Sequence, residues 1–407
     1  MVVLLLLGFS SGLPLQLTGY TLKAWLGQQG GTNAQVAAIS SFGIAYTLKF
    51  LWAPLLDRYR LPWLGRRRGW CLVFQLGLIA GIALLGTLDP IGQPELLAII
   101  AVGVAFLSAS QDVIIDAYKA DLLAPAERAA GAAAYVLGYR AALLMTGGLA
   151  LILADPKRSV HLSWAVVYEG MAALMLVGVI ATLLAEEPVV AATPRTFTSA
   201  LWRPFADFVK RLGGRYAALV LVFAATYRFG DYFVQALSIQ FFTKGAHFTQ
   251  TEVAVVNKLV GFAGTFVGGL AAGGLVARFG LRRMLVAFGI LAAITNLLYA
   301  WLALAGHDIV VFCIAVGVDQ ASTALGTAAF LAVLMSVTSP AFSATQFALL
   351  TSLASVGERV FGPFAANVVD SIGWAGYFVV TAAMALPGLV LAWFVAHENV
   401  APVETRS

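Results

Sequence analysis

Leu55-Leu56-Asp57-Arg58-Tyr59, followed by Gly65-Arg66-Arg67-Arg68, forms a short basic connection between two long apolar runs. A counterpart stands in the second half of the chain, where Gly274, Arg278-Phe279-Gly280 and Arg282-Arg283 follow the eighth apolar run. Gly138-Tyr139-Arg140 in the fifth run is echoed by Gly357-Glu358-Arg359 in the eleventh, 219 residues on. Working outward from these repeats, polar and glycine-rich breaks divide the chain into twelve apolar runs, at 2–26, 36–56, 69–88, 95–120, 129–153, 164–185, 216–242, 252–277, 284–305, 309–336, 342–368 and 374–396. Each is long enough for a membrane-crossing helix, which needs about 20 apolar residues. The longest polar break falls halfway, so six spans are repeated once.

Composition agrees. Of 407 residues, 60% are hydrophobic and 11% charged, against roughly 25% charged in soluble domains, which excludes a soluble enzyme. The domains expected are a six-helix bundle over 1–185, a cytoplasmic linker over 186–215, a second six-helix bundle over 216–396 and a cytoplasmic tail over 397–407. Within the linker, Pro204 precedes Phe205, Phe208, Val209 and Leu212, with Asp207, Lys210 and Arg211 between them. That spacing predicts a short amphipathic helix on the inner membrane surface; an unstructured linker is the other reading. The opening run is too long for a signal peptide and has no positive leader or small-residue cleavage site, so it counts as the first span.

The net charge of +5 does not call for nucleic acid, because the basic residues sort by connection. Sixteen fall on one side: Arg58, Arg60, Arg66, Arg67, Arg68, Lys119, Arg128, Arg195, Arg203, Lys210, Arg211, Arg215, Arg278, Arg282, Arg283 and Arg406. Three fall on the other: Lys157, Arg158 and Lys244. The positive-inside rule then puts both termini in the cytoplasm. Cys71 and Cys313 lie in apolar runs, where a thiol acts as a small hydrophobe, so neither a disulfide nor a metal cluster is expected. The chain has no G-x-x-x-x-G-K-[ST] phosphate loop, which removes the common route to ATP hydrolysis. No H-E-x-x-H pattern occurs, and His161, His247, His307 and His397 fall at span ends or connections. Glycines 264, 268, 269 and 273 have the small-xxx-small spacing that lets two helices approach closely.

A charge within a span is costly unless it is paired or faces water, so the candidates for function are the polar residues inside the spans. In the fourth span, Gln111, Asp112 and Asp116 interrupt an apolar run, and i, i+4 spacing puts the two carboxylates on one face. At 1.5 Å per residue, Asp112 lies roughly 13 Å from Asp121 and Arg140 roughly 18 Å from Arg128, so an Asp112–Arg140 pair between spans is feasible. A carboxylate alternating between a cation and a proton couples solute to the proton gradient; a fixed structural pair is the competing reading. Asp116, nearer the surface, is read as partly hydrated. Arg228 and Asp231 can satisfy each other at i, i+3. Lys258, Asp319 with Gln320, and Glu358 with Arg359 are further candidates. Lys49 and Lys23 are read as snorkelling to the two surfaces. Tyr139, with Tyr20, Trp25, Tyr46, Tyr227 and Tyr232, either lines the cavity or belongs to the interfacial belt. Asp57 and Arg58, with Arg278 and Arg282 in the second half, are candidate gating charges at the inner mouth; topology alone also explains them.

Six spans repeated, with a basic hairpin after the second of each half, is the layout of the major facilitator transporters, so the fold class expected is an all-α integral membrane protein of that type. Longer motifs narrow this: Leu7-Gly8-Phe9-Ser10-Ser11-Gly12-Leu13-Pro14, Lys49-Phe50-Leu51-Trp52-Ala53-Pro54-Leu55-Leu56-Asp57-Arg58-Tyr59, Ser108-Ala109-Ser110-Gln111-Asp112, Val255-Val256-Asn257-Lys258 and Phe342-Ser343-Ala344-Thr345-Gln346-Phe347-Ala348-Leu349-Leu350. Over nearly its whole length the chain resembles the AmpG muropeptide permeases. The resemblance implies proton-driven import across the bacterial inner membrane of N-acetylglucosaminyl-anhydro-N-acetylmuramic acid, with or without peptide, for cell-wall recycling. It also implies no cofactor beyond the coupling proton, no enzyme activity, a monomer, and the bilayer and an anionic sugar or sugar-peptide as partners. By the resemblance Gln111, Asp112, Asp116, Arg140, Arg228, Asp231 and Lys258 match polar positions of the family; Asp112 and Asp116 are expected to carry the proton, and the others, joined by Tyr139, Asp319 and Gln320 from their place within the spans, to form the solute site. The family often runs longer and has a short cytoplasmic lead, whereas this chain starts inside its first helix. Val318-Asp319-Gln320 stands where a Glu-Asn pair is usual. A siderophore or other anionic-solute permease is the alternative within the superfamily; a membrane sensor or embedded enzyme is the alternative outside it.

Overall fold

The structure is a computed structural model that describes residues 1–30, 39–62, 64–155, 161–188 and 197–397. Among these residues the regular structure is helix, joined by turns and short connections, with a single isolated bridge between Leu61 and Gly65. Arg195, Lys157, Arg158 and Arg406, counted above for topology, lie outside the described residues, as do the side chains of Lys244, Glu358 and Arg359. Helix covers part or all of every predicted run. Among the described residues ten helices are long and apolar enough to cross a membrane; none of these ten covers the second or the eleventh run. The second is broken into Ile39–Gly43, Ile44–Leu48, Lys49–Leu51 and Ala53–Arg58, two of them 3-10 turns. The eleventh begins at Ser343 and runs unbroken to Gly373, whose φ of +71° turns the chain into the twelfth.

Several spans are interrupted within their length. The first breaks between Val2–Leu17 and Tyr20–Gln28. The seventh, its counterpart in the second half, breaks between Gly214–Thr226 and Phe229–Gln240. Wider π turns occur at Met145–Leu149, Phe241–Gly245 and Val256–Gly261. Such breaks free backbone groups that must be satisfied elsewhere, and breaks at matching places in two repeats point to a transporter's binding region.

By contacts the chain forms two compact units. The first holds Met1–Leu122, Ala134–Pro204 and Pro340–Leu349; the second holds Leu123–Ala133, Phe205–Ser339 and Leu350–Ser407. In the first, a core of Leu13, Leu17, Trp25, Leu78, Ile82 and Tyr168 is completed by Trp25 stacking on Trp164. There the first and fifth spans meet backbone to backbone, since a Cβ at Gly138 would overlap the Leu5 carbonyl and one at Gly8 the Tyr135 carbonyl. The second unit packs around Phe233, Phe241, Phe242, Tyr299, Phe312 and Phe378. Gly264 and Gly268 fit against the carbonyls of Gly317 and Ala321 with no room for a side chain, the close approach expected of the small-xxx-small run. The helix Phe197–Leu212 lies within the polar break, with Phe208 buried and Trp202 and Val209 exposed.

Candidate functional site

The fourth span is the helix Pro94–Leu122, and every residue from Ser108 to Lys119 is buried, on all sides of the helix. Asp112 and Asp116 lie on it one turn apart. Depth alone makes an Asp112–Arg140 pair feasible; Asp112 is bonded from the first span. Its carboxylate accepts a short hydrogen bond from the Ser11 hydroxyl, which lies 2.8 Å from the Tyr135 hydroxyl. Gln111 donates to Ser10 at 3.1 Å, so the serine pair in the first span serves both polar residues of the fourth. The reason is proximity: glycines 8 and 138 bring the first span against the fifth, and a short hydroxyl then reaches Asp112. Arg140 is half-buried and acts on Tyr139.

Asp116 is not hydrated at the surface but 7% exposed, and it carries two lysines. Lys49 Nζ is 3.4 Å from Oδ2 and Lys119 Nζ is 2.8 Å from Oδ1. Neither lysine reaches a membrane surface. Lys49 is 7% exposed and Lys119 wholly buried, its ammonium 3.4 Å from the centre of the Tyr135 ring. Snorkelling fails for Lys49 because a carboxylate in reach repays desolvation better than a strained path to the interface.

Beyond Lys119 the same helix ends in a second charged cluster. Arg67 Nε donates to Asp121 at 2.8 Å, and its Nη2 donates to Asp57 at 3.0 Å and to Ser343 Oγ at 2.6 Å. Asp57, fully buried, accepts from the backbone N–H groups of Ala344 (3.2 Å) and Thr345 (2.8 Å) and from the Thr345 hydroxyl (2.7 Å). A carboxylate thus caps the first turn of the helix that starts at Ser343, where free N–H groups and the helix dipole favour negative charge. Arg66 donates to the Asp57 and Pro340 carbonyls; burial pushes its guanidinium down to about 10. Glu187 accepts from the backbone N–H groups of Arg66, Arg67 and Arg68 at 2.6–3.0 Å, capping the third span. Arg66 and Arg67, counted above as loop charges, are thus buried structural elements.

In the second unit, Arg228 stands in the break of the seventh span, 3.3 Å from Asp231 and over the Tyr232 ring. Asp319 accepts from Tyr299 at 3.0 Å and Thr295 at 3.4 Å, and Gln320 accepts from Thr265 at 3.4 Å. Lys258 is exposed on the π turn Val256–Gly261. Among the described residues no group of His, Cys, Asp and Glu is arranged to hold a metal ion.

The sequence pattern of the Major Facilitator Superfamily matches residues 4–316 and 220–406. An anhydromuropeptide permease of Escherichia coli strain K12 is 44% identical over 390 residues, covering 96% of this chain and 78% of that protein. The chain belongs to the AmpG family of the major facilitator superfamily. A Rickettsia felis transporter called AmpG 4 is 28% identical over 401 residues, covering 96% of this chain and 94% of that one. Among solved structures, the fucose:proton symporter of E. coli matches with a TM-score of 0.74 at 15% identity over 97% of each chain. A human organic anion transporter matches at 0.68 and 18% identity over 96% of each. Likeness at that identity establishes the fold alone.

In this AmpG-family chain the candidate site residues thus gather in two places. Gln111, Asp112, Asp116, Tyr139 and Arg140 share the first unit with Lys49, Lys119, Ser11 and Tyr135, none of the last four a site residue by the sequence. Arg228, Asp231, Lys258, Asp319 and Gln320 belong to the second unit. Asp57 joins the cluster beneath Lys119, whereas Arg58 stacks on Tyr59, Arg278 lies over Phe279, and Arg278 and Arg282 are exposed. A signal for Lys119 existed: it stands at i+3 from Asp116, within ion-pair reach on one helix face. Lys49, 67 residues away from Asp116, left no such local trace.

Proposed function

We propose that this chain is a proton-coupled importer of peptidoglycan-derived anhydro-muropeptides, N-acetylglucosaminyl-anhydro-N-acetylmuramic acid with or without peptide. The observation that carries the reading is 44% identity along 96% of the chain to a permease named for that solute. The relatives are permeases and transporters, not enzymes, and no phosphate loop occurs in the sequence to supply ATP energy. Buried carboxylates on the fourth span support proton coupling, because a group enclosed with cations exchanges its proton only when its surroundings change. In this reading Asp112 and Asp116 carry the proton, and Arg228 and Lys258 attract the anionic solute. In this reading the chain lies in the bacterial inner membrane, and the distribution of Lys and Arg supports both termini in the cytoplasm.

The test is uptake of the labelled disaccharide by the purified chain in liposomes. Accumulation above the outside concentration when the exterior is acidic, lost when the pH difference is collapsed, is the expected result. Uptake of a ferric chelate in place of the disaccharide would move the chain to the siderophore branch.

A further inference from the structure

Four ionisable side chains of opposite sign meet in the first unit: Asp112, Asp116 and Lys119 on the fourth span, and Lys49 from the second. All are nearly or wholly buried, with Asp112 8%, Asp116 7%, Lys49 7% and Lys119 0% exposed. The other groups facing them are Ser11 from the first span, Tyr46 from the second, and Tyr135 and Tyr139 from the fifth. None of these is charged near neutral pH. Arg140, which acts on Tyr139, has contacts of its own. With both carboxylates ionised the cluster is formally neutral. One added proton leaves it with a single positive charge in a place where uncompensated charge is costly. Protonation therefore creates a demand for one anion.

We propose that Lys49 receives the solute's carboxylate in exchange for Asp116, so that one proton enters with each carboxylate carried. This rests on the importer reading above and assigns the anion-binding group within it. Lys49 fits the role better than Lys119. Its contact to Asp116 is the longer, 3.4 Å against 2.8 Å, and it is the less enclosed of the two. It also sits on the 3-10 turn Lys49–Leu51, between two short helical pieces, whereas Lys119 is fixed within a 29-residue helix and covered by the Tyr135 ring. When Asp116 takes a proton its attraction for Lys49 falls, Lys119 stays lodged, and the freed ammonium faces the incoming carboxylate. A proton and a carboxylate crossing together carry no net charge.

The test uses the full chain in liposomes, with N-acetylglucosaminyl-anhydro-N-acetylmuramic acid and its neutral N-methylamide as probes. For the unaltered chain, uptake of the acid should follow an imposed pH difference and ignore a potassium diffusion potential, whereas potential-driven uptake of the acid would overturn the proposal without any variant. Lys49→Gln should lose about a tenfold preference for acid over amide, the worth of one charge-assisted hydrogen bond, and Lys49→Arg should keep it. A Lys49→Gln protein that transports with its acid preference intact refutes the assignment while leaving the importer reading standing. Failure of the unaltered chain to carry either probe removes both.

Discussion

Replacing Asp57 with Asn tests the cluster that holds the start of the eleventh span. The Asp57 carboxylate accepts from Ala344 N–H, Thr345 N–H, Thr345 Oγ and Arg67 Nη2, at 3.2, 2.8, 2.7 and 3.0 Å. An amide of the same size keeps one acceptor oxygen but turns an NH2 group towards donors, and it leaves Asp121 as the one carboxylate on Arg67. Breaking a buried ion pair from one side costs about 3–5 kcal/mol. The lower end applies, because Asp121 still neutralises Arg67, so about 3 kcal/mol should be lost. That raises the population with Pro340–Leu349 undocked by about a hundredfold, until it saturates. With Cys71 and Cys313 replaced by Ala, Ala344→Cys should react slowly with a membrane-impermeant maleimide from the cytoplasmic face, since Ala344 is fully buried. Adding Asp57→Asn should speed that labelling by at least tenfold and lower the melting temperature in detergent. Labelling unchanged within about a factor of two, with unchanged melting, would mean that the carboxylate does not hold this helix start and that its charge is dispensable.

Other outcomes follow from the same contacts. Asp112→Asn should abolish uphill uptake while leaving exchange of solute down its gradient, measured by counterflow in liposomes; unchanged accumulation removes Asp112 from coupling. Gly138→Ala should destabilise the first unit by about 1–3 kcal/mol through overpacking against Leu5. Gly103→Ala, where a Cβ meets nothing within 4 Å, should be neutral in the same thermal-shift assay. For the partly exposed Arg228–Asp231 pair, a double-mutant cycle with Arg228→Gln and Asp231→Asn should give a coupling of about 0.5–1 kcal/mol in stability. A coupling near zero would mean the two face different partners.

How far the chain could be read from its sequence differs between its parts. Asp112 and Asp116 stood out because two carboxylates in an apolar run are conspicuous, and helical spacing places them on one face. Their partners are not legible there for a common reason: Ser11 and Lys49 come from other spans, and rise per residue gives depth but not which span is adjacent. Depth allows Arg140 to reach Asp112, but it gives no sign that the close packing of the first span brings a serine there. Arg66 and Arg67 were read as topology signals, since a basic loop looks the same whether its charges meet water or buried carboxylates.

Apolar length, the recurrence of the basic hairpin and the sorting of Lys and Arg set the class of this protein before any coordinates, because crossing a bilayer imposes a fixed span length and the backbone must satisfy itself within each helix. Folding in three dimensions decided which charge neutralises which. Pairing depends on distances of a few ångströms between side chains far apart along the chain, and periodicity along one helix carries no information about its neighbour.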